Sequence, residues 1–279
     1  MKIVLANKFD KKTVLEFCKN TFSWGDYIEY VWDYWIKEGN LLVIRKNKRP
    51  VAMCHVIIFS EDTRIWIEGI RVDKNFRRKG FATILVKESE KLGLQKNCFY
   101  SYMLIESRNT NSLKLARKLG YKIDEKWNFF SLTPKKIRSV PKTYFPTLNS
   151  NIIPPYSNNL SYVTSWRWLP LTGHAKNSLI KQKKIIYSNY DKIKSVAVLT
   201  DSDHFDSTLL VTLLSGKKIG LKKILQFIQN FAFKKKYKRI QILTKLKSLP
   251  TLPDLEKRLI FYLMKKKLRN KTNSIGYFP

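Results

Sequence analysis

Two periodicities alternate along this chain and together predict a mixed α/β protein. Residues 11–21 place Val14, Leu15 and Cys18 on one side, as a short amphipathic helix does. A second helix follows over residues 30–36, punctuated by Gly39. Two strands, 40–46 and 50–59, flank the polar turn Asn47-Lys48-Arg49, and Ser60-Glu61-Asp62-Thr63 leads into an apolar strand over 65–72. A helical run over 83–92, a strand over 97–106, a helix over 112–119 and a strand over 126–132 complete the first half.

The texture changes at Thr133. Five of the ten prolines (Pro134, Pro141, Pro146, Pro154 and Pro155) fall between residues 133 and 160, beside Asn149-Ser150-Asn151 and Ser157-Asn158-Asn159. Proline at that density blocks helices and interior strands, so a linker is expected there. The second half then repeats the order of the first in weaker form. Strands are expected over 161–168, 195–200, 207–214 and 239–243, and helices over 177–184, 221–233 and 255–268; Ile275-Gly276-Tyr277-Phe278 ends the chain. The expected domains are therefore residues 1–132 and 161–279, joined by 133–160.

The most specific local chemistry lies between the strand over 65–72 and the helix after it. The turn reads Asp73-Lys74-Asn75-Phe76-Arg77-Arg78-Lys79-Gly80-Phe81-Ala82. A strand, a small-residue turn and a helix start together suit a phosphorylated ligand, because unpaired N–H groups and the helix dipole both favour negative charge. Gly80 allows close approach, Ala82 intrudes little, and Arg77, Arg78 and Lys79 supply cations. Neither G-x-x-x-x-G-K-[ST] nor G-x-G-x-x-G is present. The R-x-x-G-x-A segment from Arg77 to Ala82 instead resembles the acyl-CoA pyrophosphate loop of the GNAT superfamily of N-acetyltransferases. Its context strengthens the match: Val72-Asp73 stands upstream, and Asn109-x-x-Ser112-x-x-Leu115-Ala116-x-x-Leu119-Gly120-Tyr121 resembles the superfamily's second motif.

That resemblance implies an acyl-CoA N-acyltransferase fold with a mixed sheet, present as two tandem domains, and acetyl-CoA as cosubstrate. The second copy lacks R-x-x-G-x-A at Leu214-Ser215-Gly216-Lys217-Lys218-Ile219-Gly220, so a degenerate domain without CoA binding is expected, an unrelated α/β module being the alternative. The resemblance further implies that the backbone of Ile70, Arg71 and Val72 pairs with the pantetheine arm, that Arg77, Arg78, Lys79, Gly80, Phe81 and Ala82 hold the pyrophosphate, and that Asn109 contacts the cofactor. Glu68, nine residues before Arg77, is the implied base; a structural strand Glu paired with Arg71 or Arg64 is the other reading. Trp24, Asp26 and Tyr27 fall where the superfamily walls its acceptor site, and an aromatic, acidic wall suits a cationic amine. Trp24-Gly25-Asp26-Tyr27-Ile28, Trp32, Trp35 and Glu68-Gly69-Ile70-Arg71-Val72 resemble the branch containing histidine N-acetyltransferase-like proteins. One departure stands out: Ala116 occupies the position that frequently holds a tyrosine thiolate acid, leaving Tyr100, Tyr102 or an unassisted thiolate.

Charge adds a second possibility. The formal net charge is +33, and residues 133–279 hold 29 Lys and Arg against 6 Asp and Glu, compared with 25 against 15 in residues 1–132. Such a surface attracts nucleic acid, ribosome or anionic lipid, unless it is only a lysine-rich habit of composition. The alternative function is thus a nucleic-acid- or ribosome-associated protein that keeps the fold for binding. No apolar run approaches a membrane span, and the first eight residues are too short an apolar stretch for a signal peptide. Cys18, Cys54 and Cys98 show no C-x-x-C spacing and suit a reducing cytoplasm. No metal is expected: Asp201 to Asp206 fails the EF-hand tests for Gly and Glu, and His55 and His174 lack an H-x-x-x-H partner.

Overall fold

The computed structural model describes residues 2–22, 25–150, 160–190, 193–202 and 205–268. By compactness the chain divides into Met1–Glu125 with Tyr262–Pro279, and Lys126–Phe261.

The first unit contains β1 (Lys2–Leu5), α1 (Lys11–Cys18), α2 (Ile28–Glu38), β2 (Leu41–Lys46), β3 (Arg49–Phe59), β4 (Arg64–Val72), α3 (Phe81–Gln95), β5 (Tyr100–Glu106) and α4 (Thr110–Lys118). Its strands lie in the order β1-β2-β3-β4-β5. All neighbours are antiparallel except β4 and β5, which are joined by α3 and run parallel. In α2, Ile28, Val31, Trp32 and Trp35 recur at helical spacing and are all buried. They close a core with Val14 and Cys18 of α1, Leu41 and Val43 of β2, and Met53 of β3. The opposite face of the same strands presents Leu42, Ile44, Ala52, Cys54, Val56, Ile65 and Ile67 to Leu85 and Val86 of α3. β3 is therefore buried on both faces, which explains its nearly continuous apolar run.

One irregularity positions the site. Between the pairs His55↔Glu68 and Met53↔Arg71, β4 has one more residue than β3. Gly69 takes up this bulge at φ 62°, and a Cβ built there would stand 2.5 Å from Cη2 and Cζ3 of Trp35. Only glycine accepts both the backbone angle and the indole edge.

The second unit begins within β6 (Lys122–Leu132) and contains β7 (Ser161–Thr164), β8 (Arg167–Pro170), α5 (Gly173–Lys181), β9 (Ile185–Tyr190), β10 (Ile193–Asp201), β11 (Thr208–Ser215), α6 (Lys218–Lys234) and β12 (Arg239–Thr244). The strand order β6-β12-β11-β10-β9 has one parallel pair, β11 with β12, joined by α6 as β4 and β5 are joined by α3. The repeated order read from the sequence is thus present in the fold. The described part of the proline-rich stretch is tied to this unit: Lys135 N–H donates to the Gln229 carbonyl, and Tyr144 pairs with Tyr187.

Several elements differ from expectation. Residues 255–268 form a strand, β13 (Leu255–Lys267), and not a helix. Its centre, Leu259-Ile260-Phe261-Tyr262-Leu263-Met264, is a short apolar run whose periodicity does not separate the two states. Residues 262–267 of β13 lie beside β5 in the first unit. The stretch expected as one strand over 161–168 is the hairpin β7–β8, turned at Ser165 and Trp166 with positive φ. Strands β1 and β9 carried no clear signal. The terminal segment 275–278 lies outside the described residues.

Substituting Gly69 by Ala is expected to cost roughly 2–4 kcal/mol, from left-handed strain together with overpacking against Trp35. Denaturant midpoints measure this loss, and combining Gly69→Ala with Trp35→Leu should recover part of it.

Candidate active site

The turn between β4 and α3 has the form that an anionic group requires. Asp73 is buried, accepts the Asn75 N–H at 3.0 Å, and starts a short 3-10 turn over Lys74–Phe76. Arg77 Nε donates to the Val72 carbonyl at 3.2 Å and folds the turn back on the strand. Arg78 at φ 61° and Gly80 at φ 80° reverse the chain into α3. No side chain caps this 15-residue helix, so its first N–H groups lack an intrahelical acceptor. Arg77, Arg78, Lys79 and Gly80 are exposed, Phe81 and Ala82 half-buried, and nothing lies within 4 Å of a Cβ built on Gly80. Open space in front of uncapped N–H groups, rimmed by three cations, fits a pyrophosphate.

Beside this turn the sheet opens. β4 and β5 pair only at Arg64↔Tyr100, Ile65↔Ser101 and Trp66↔Tyr102, although both strands continue. Ile70, Arg71 and Val72 lie past the end of that ladder, on the stretch leading to the turn. Asn109 caps α4 by accepting the Ser112 N–H at 3.1 Å. Ala116 is buried in the core under α4. Tyr102, adjacent to Trp66, is pushed up in pKa by burial, Lys265 only partly countering it.

Glu68 is almost enclosed, its side chain 9% exposed. Oε1 lies 3.0 Å from His55 Nδ1, and Oε2 accepts the Trp66 indole N–H at 3.0 Å. The Arg64 and Arg71 partners considered from the sequence are not those found: Arg64 approaches Asp62 at 3.2 Å and Arg71 approaches Asp26. His55 is fully buried, stacked on Trp35 with ring centroids 4.6 Å apart, and its Nε2 lies 3.0 Å from the Gly39 carbonyl. Glu38 Oε2 stands 3.6 Å from the same nitrogen. Glu38, His55 and Glu68 cluster closely enough to suggest a metal site. The two carboxylates nevertheless address opposite ring nitrogens, an arrangement for sharing protons and not for converging on one ion.

Sequence reasoning treated His55 as a lone histidine because its partners stand 13 and 16 residues away. The antiparallel register of β3 and β4 sets it directly opposite Glu68.

Of the three acceptor-wall residues, Trp24 lies outside the described residues. Asp26 is taken up by Arg71: its two oxygens accept from Nε at 2.6 Å and from Nη2 at 3.0 Å. The guanidinium also lies over the rings of Phe22 and Tyr27. Tyr27 packs edge-on against Trp35.

A strand pair that parts beside a carboxylate and ends at an uncapped, glycine-led helix leaves room for an extended ligand with an anionic end. Residues 12–121 match the family model described as Acetyltransferase (GNAT) family. Over that stretch, under half of the chain, the protein is similar to the family. No curated protein matches it significantly. Among solved structures, a candidate acetyltransferase of Thermoplasma acidophilum is similar with a TM-score of 0.65 at 14% identity, covering 96% of this chain and 100% of that one. A GCN5-related N-acetyltransferase of Sphaerobacter thermophilus gives 0.65 at 12%, covering 96% of each. A tandem GNAT protein from the clavulanic acid biosynthesis pathway gives 0.60 at 8%, covering 96% and 99%. At such identities the likeness speaks for the fold, which is a tandem one. Among the described residues no helix is long and apolar enough to cross a membrane.

Burial raises Tyr27 from its ordinary value of 10 to about 12, Arg71 only partly opposing it, and raises Cys54 from 9 to about 12. Both folded-state values lie above the unfolded ones. Their contribution to stability is therefore complete below about pH 9 and is lost as pH rises toward 12. Urea titrations across that window should show a falling unfolding free energy, and Tyr27→Phe should flatten the part that begins near pH 10.

Proposed function

We propose that this protein transfers the acetyl group of acetyl-CoA to a primary amine, with Glu68 as the base. One observation carries the reading: the β4–β5 opening runs past Glu68 and ends at the uncapped N-terminus of α3. In that frame the pyrophosphate is held by the turn over Arg77–Ala82, and the pantetheine arm pairs with the backbone of Ile70–Val72 as an added strand. A neutral amine attacks the thioester carbonyl, and the tetrahedral intermediate collapses with the CoA thiolate leaving. Glu68 takes the proton that the amine nitrogen loses. With alanine at position 116, the thiolate leaves unassisted or takes a proton from Tyr102, whose raised pKa keeps it protonated at neutral pH.

The second unit is degenerate by the same criterion. Its parallel pair β11–β12 is closed over six residues, Thr208↔Arg239 to Leu213↔Thr244, against three in β4–β5. Backbone groups that an extended ligand arm would need are already paired there.

The acceptor follows less directly. Arg71 neutralises Asp26, so that carboxylate does not select a cation by itself. Free amino acids, including histidine, together with small amines and peptides bearing free N-termini or lysines, form the panel to test.

Gly80→Glu should abolish acetyl-CoA binding in calorimetric titration, by adding bulk and negative charge in front of α3, while the exposed turn lets the protein fold. Unchanged affinity would overturn the cofactor assignment.

Glu68→Gln keeps an oxygen for Trp66 and an amide N–H for His55 Nδ1, so it should fold normally. Thiol release with the best acceptor, measured without nucleic acid, should fall roughly 10²–10⁴-fold with acetyl-CoA affinity preserved. Full activity would remove Glu68 from the chemistry.

A further inference from the structure

We infer that the second unit carries a binding groove for single-stranded nucleic acid, with aromatic rings for the bases and a cationic wall for the phosphates. The inference stands apart from the acetyl-transfer reading, because every residue it uses lies between Lys126 and Phe261.

Strands β6 and β12 pair antiparallel, with Ser131 opposite Gln241 and Phe129 opposite Leu243. A groove of about 500 Å³ opens along them, lined by Phe129, Ser131, Arg239 and Gln241 of this pair, with Lys238 and Arg258 beside it. Lys238, Arg239 and Arg258 are exposed. Arg258 Nε donates to the Ser131 hydroxyl at 2.7 Å, while Glu256 engages Nη2 of the same guanidinium at 2.7 Å. Lys234, Lys235 and Lys236, also exposed, precede the groove in the chain.

Phe129 joins this groove to a cluster of rings. Its centroid lies 5.4 Å from that of Trp166 and 6.2 Å from that of Phe261, and Trp166 and Phe261 are 5.6 Å apart. All three are half-buried, whereas Trp168, 6.3 Å from Trp166, is fully buried. Trp166 occupies its place against backbone preference. It turns the β7–β8 hairpin at φ 60°, where a bulky side chain is an outlier. Its indole N–H donates to Gln241 Oε1 at 3.1 Å, which ties the ring to the strand that lines the groove. Strained residues of this kind cluster at ligand clamps.

The chemistry of the ligand follows from the two halves. Aromatic rings stack on the faces of bases whatever their sequence, and only unpaired bases leave those faces free. The cations match phosphates, and the whole unit favours a polyanion: residues 126–261 hold 25 Lys and Arg against 6 Asp and Glu. An acidic peptide would satisfy the charge and leave the rings unused.

The test uses the full chain and short fluorescein-labelled oligonucleotides: single-stranded RNA, single-stranded DNA and a duplex, with heparin as a polyanion without bases. Anisotropy titrations should show single strands bound more tightly than duplex or heparin, and a preference for RNA or for DNA supports the groove alike. Phe129→Leu keeps an apolar side chain and removes the stacking face, so affinity should fall about tenfold with its salt dependence unchanged. Circular dichroism checks its folding; Trp166→Asn, a residue that suits φ 60°, is the second ring variant. Lys238→Gln with Arg239→Gln should reduce the slope of log affinity against log salt by about 1.4, as for two phosphate contacts on a single strand. Lys181→Gln with Lys183→Gln removes the same charge just before β9, at the other end of this unit's strand order, and should leave the slope near wild type. Acetyl transfer to a small acceptor should be unchanged in both charge variants. Equal affinity for single strands, duplex and heparin, undiminished binding in the ring variants, equal loss from the two charge pairs, or no binding at low salt would each overturn the groove and leave the acetyl-transfer reading untouched.

Discussion

The contact between Gly69 and the indole of Trp35 is the constraint on which the site depends. β4 carries one residue more than β3 at this point, and the surplus has to be absorbed without a side chain. Trp35 fills the notch so closely that a methyl group would meet its ring at 2.5 Å. The same ring covers His55, and His55 in turn holds Glu68. α2, the bulge, the histidine and the carboxylate are thus set by one packing arrangement. Moving any of them re-aims the others. The bulge also falls on the stretch of β4 that runs beyond its ladder with β5, where the strand leads into the turn before α3.

Comparison of the two units shows where their backbones differ. Both have an antiparallel pair with an irregular register, at Met53/His55 in β3 and at Val196/Ala197 in β10. Both place a helix between parallel strands. The difference lies in the ladder: β11 and β12 remain paired through Leu213, whereas β4 and β5 part after Trp66. The turn differs as well. α6 starts at Lys217 in an extended conformation, while α3 starts at Gly80 in a left-handed one. Gly216 and Gly220 pack against Ser195, so glycine in the second unit serves close packing beneath the helix instead of open space in front of it.

Parts of this arrangement were legible in the sequence because their chemistry is local. A turn that could hold pyrophosphate needs cations, a small residue and a helix start within ten positions, and Arg77 to Ala82 supplies them contiguously. Glu68 was accessible through its distance from that turn. His55 was not: its meaning comes from the strand register, which no local pattern encodes. Asp26 was read as an acceptor carboxylate because it sits among aromatics, yet Arg71, 45 residues later, engages both its oxygens. β13 was misread for a different reason. A six-residue apolar core bounded by lysines and arginines satisfies a buried strand and an amphipathic helix alike, and the pairing partners that settle it lie far away in sequence.

The chemistry proposed for Glu68 imposes a requirement that the fold answers with burial. A base accepts a proton most readily where water does not compete for it, which favours the enclosed position of Glu68 between Trp66 and His55. The imidazole of His55 in the adjacent strand and the indole N–H of Trp66 hold the two carboxylate oxygens of Glu68 at 3.0 Å each. The helix that supplies Trp35 to hold the ring also ends at Gly39 and Glu38, beside the outer nitrogen. One face of the ring and its outer nitrogen are therefore both covered by a single element, α2, and the spacing of four residues from Trp35 to Gly39 is what joins them.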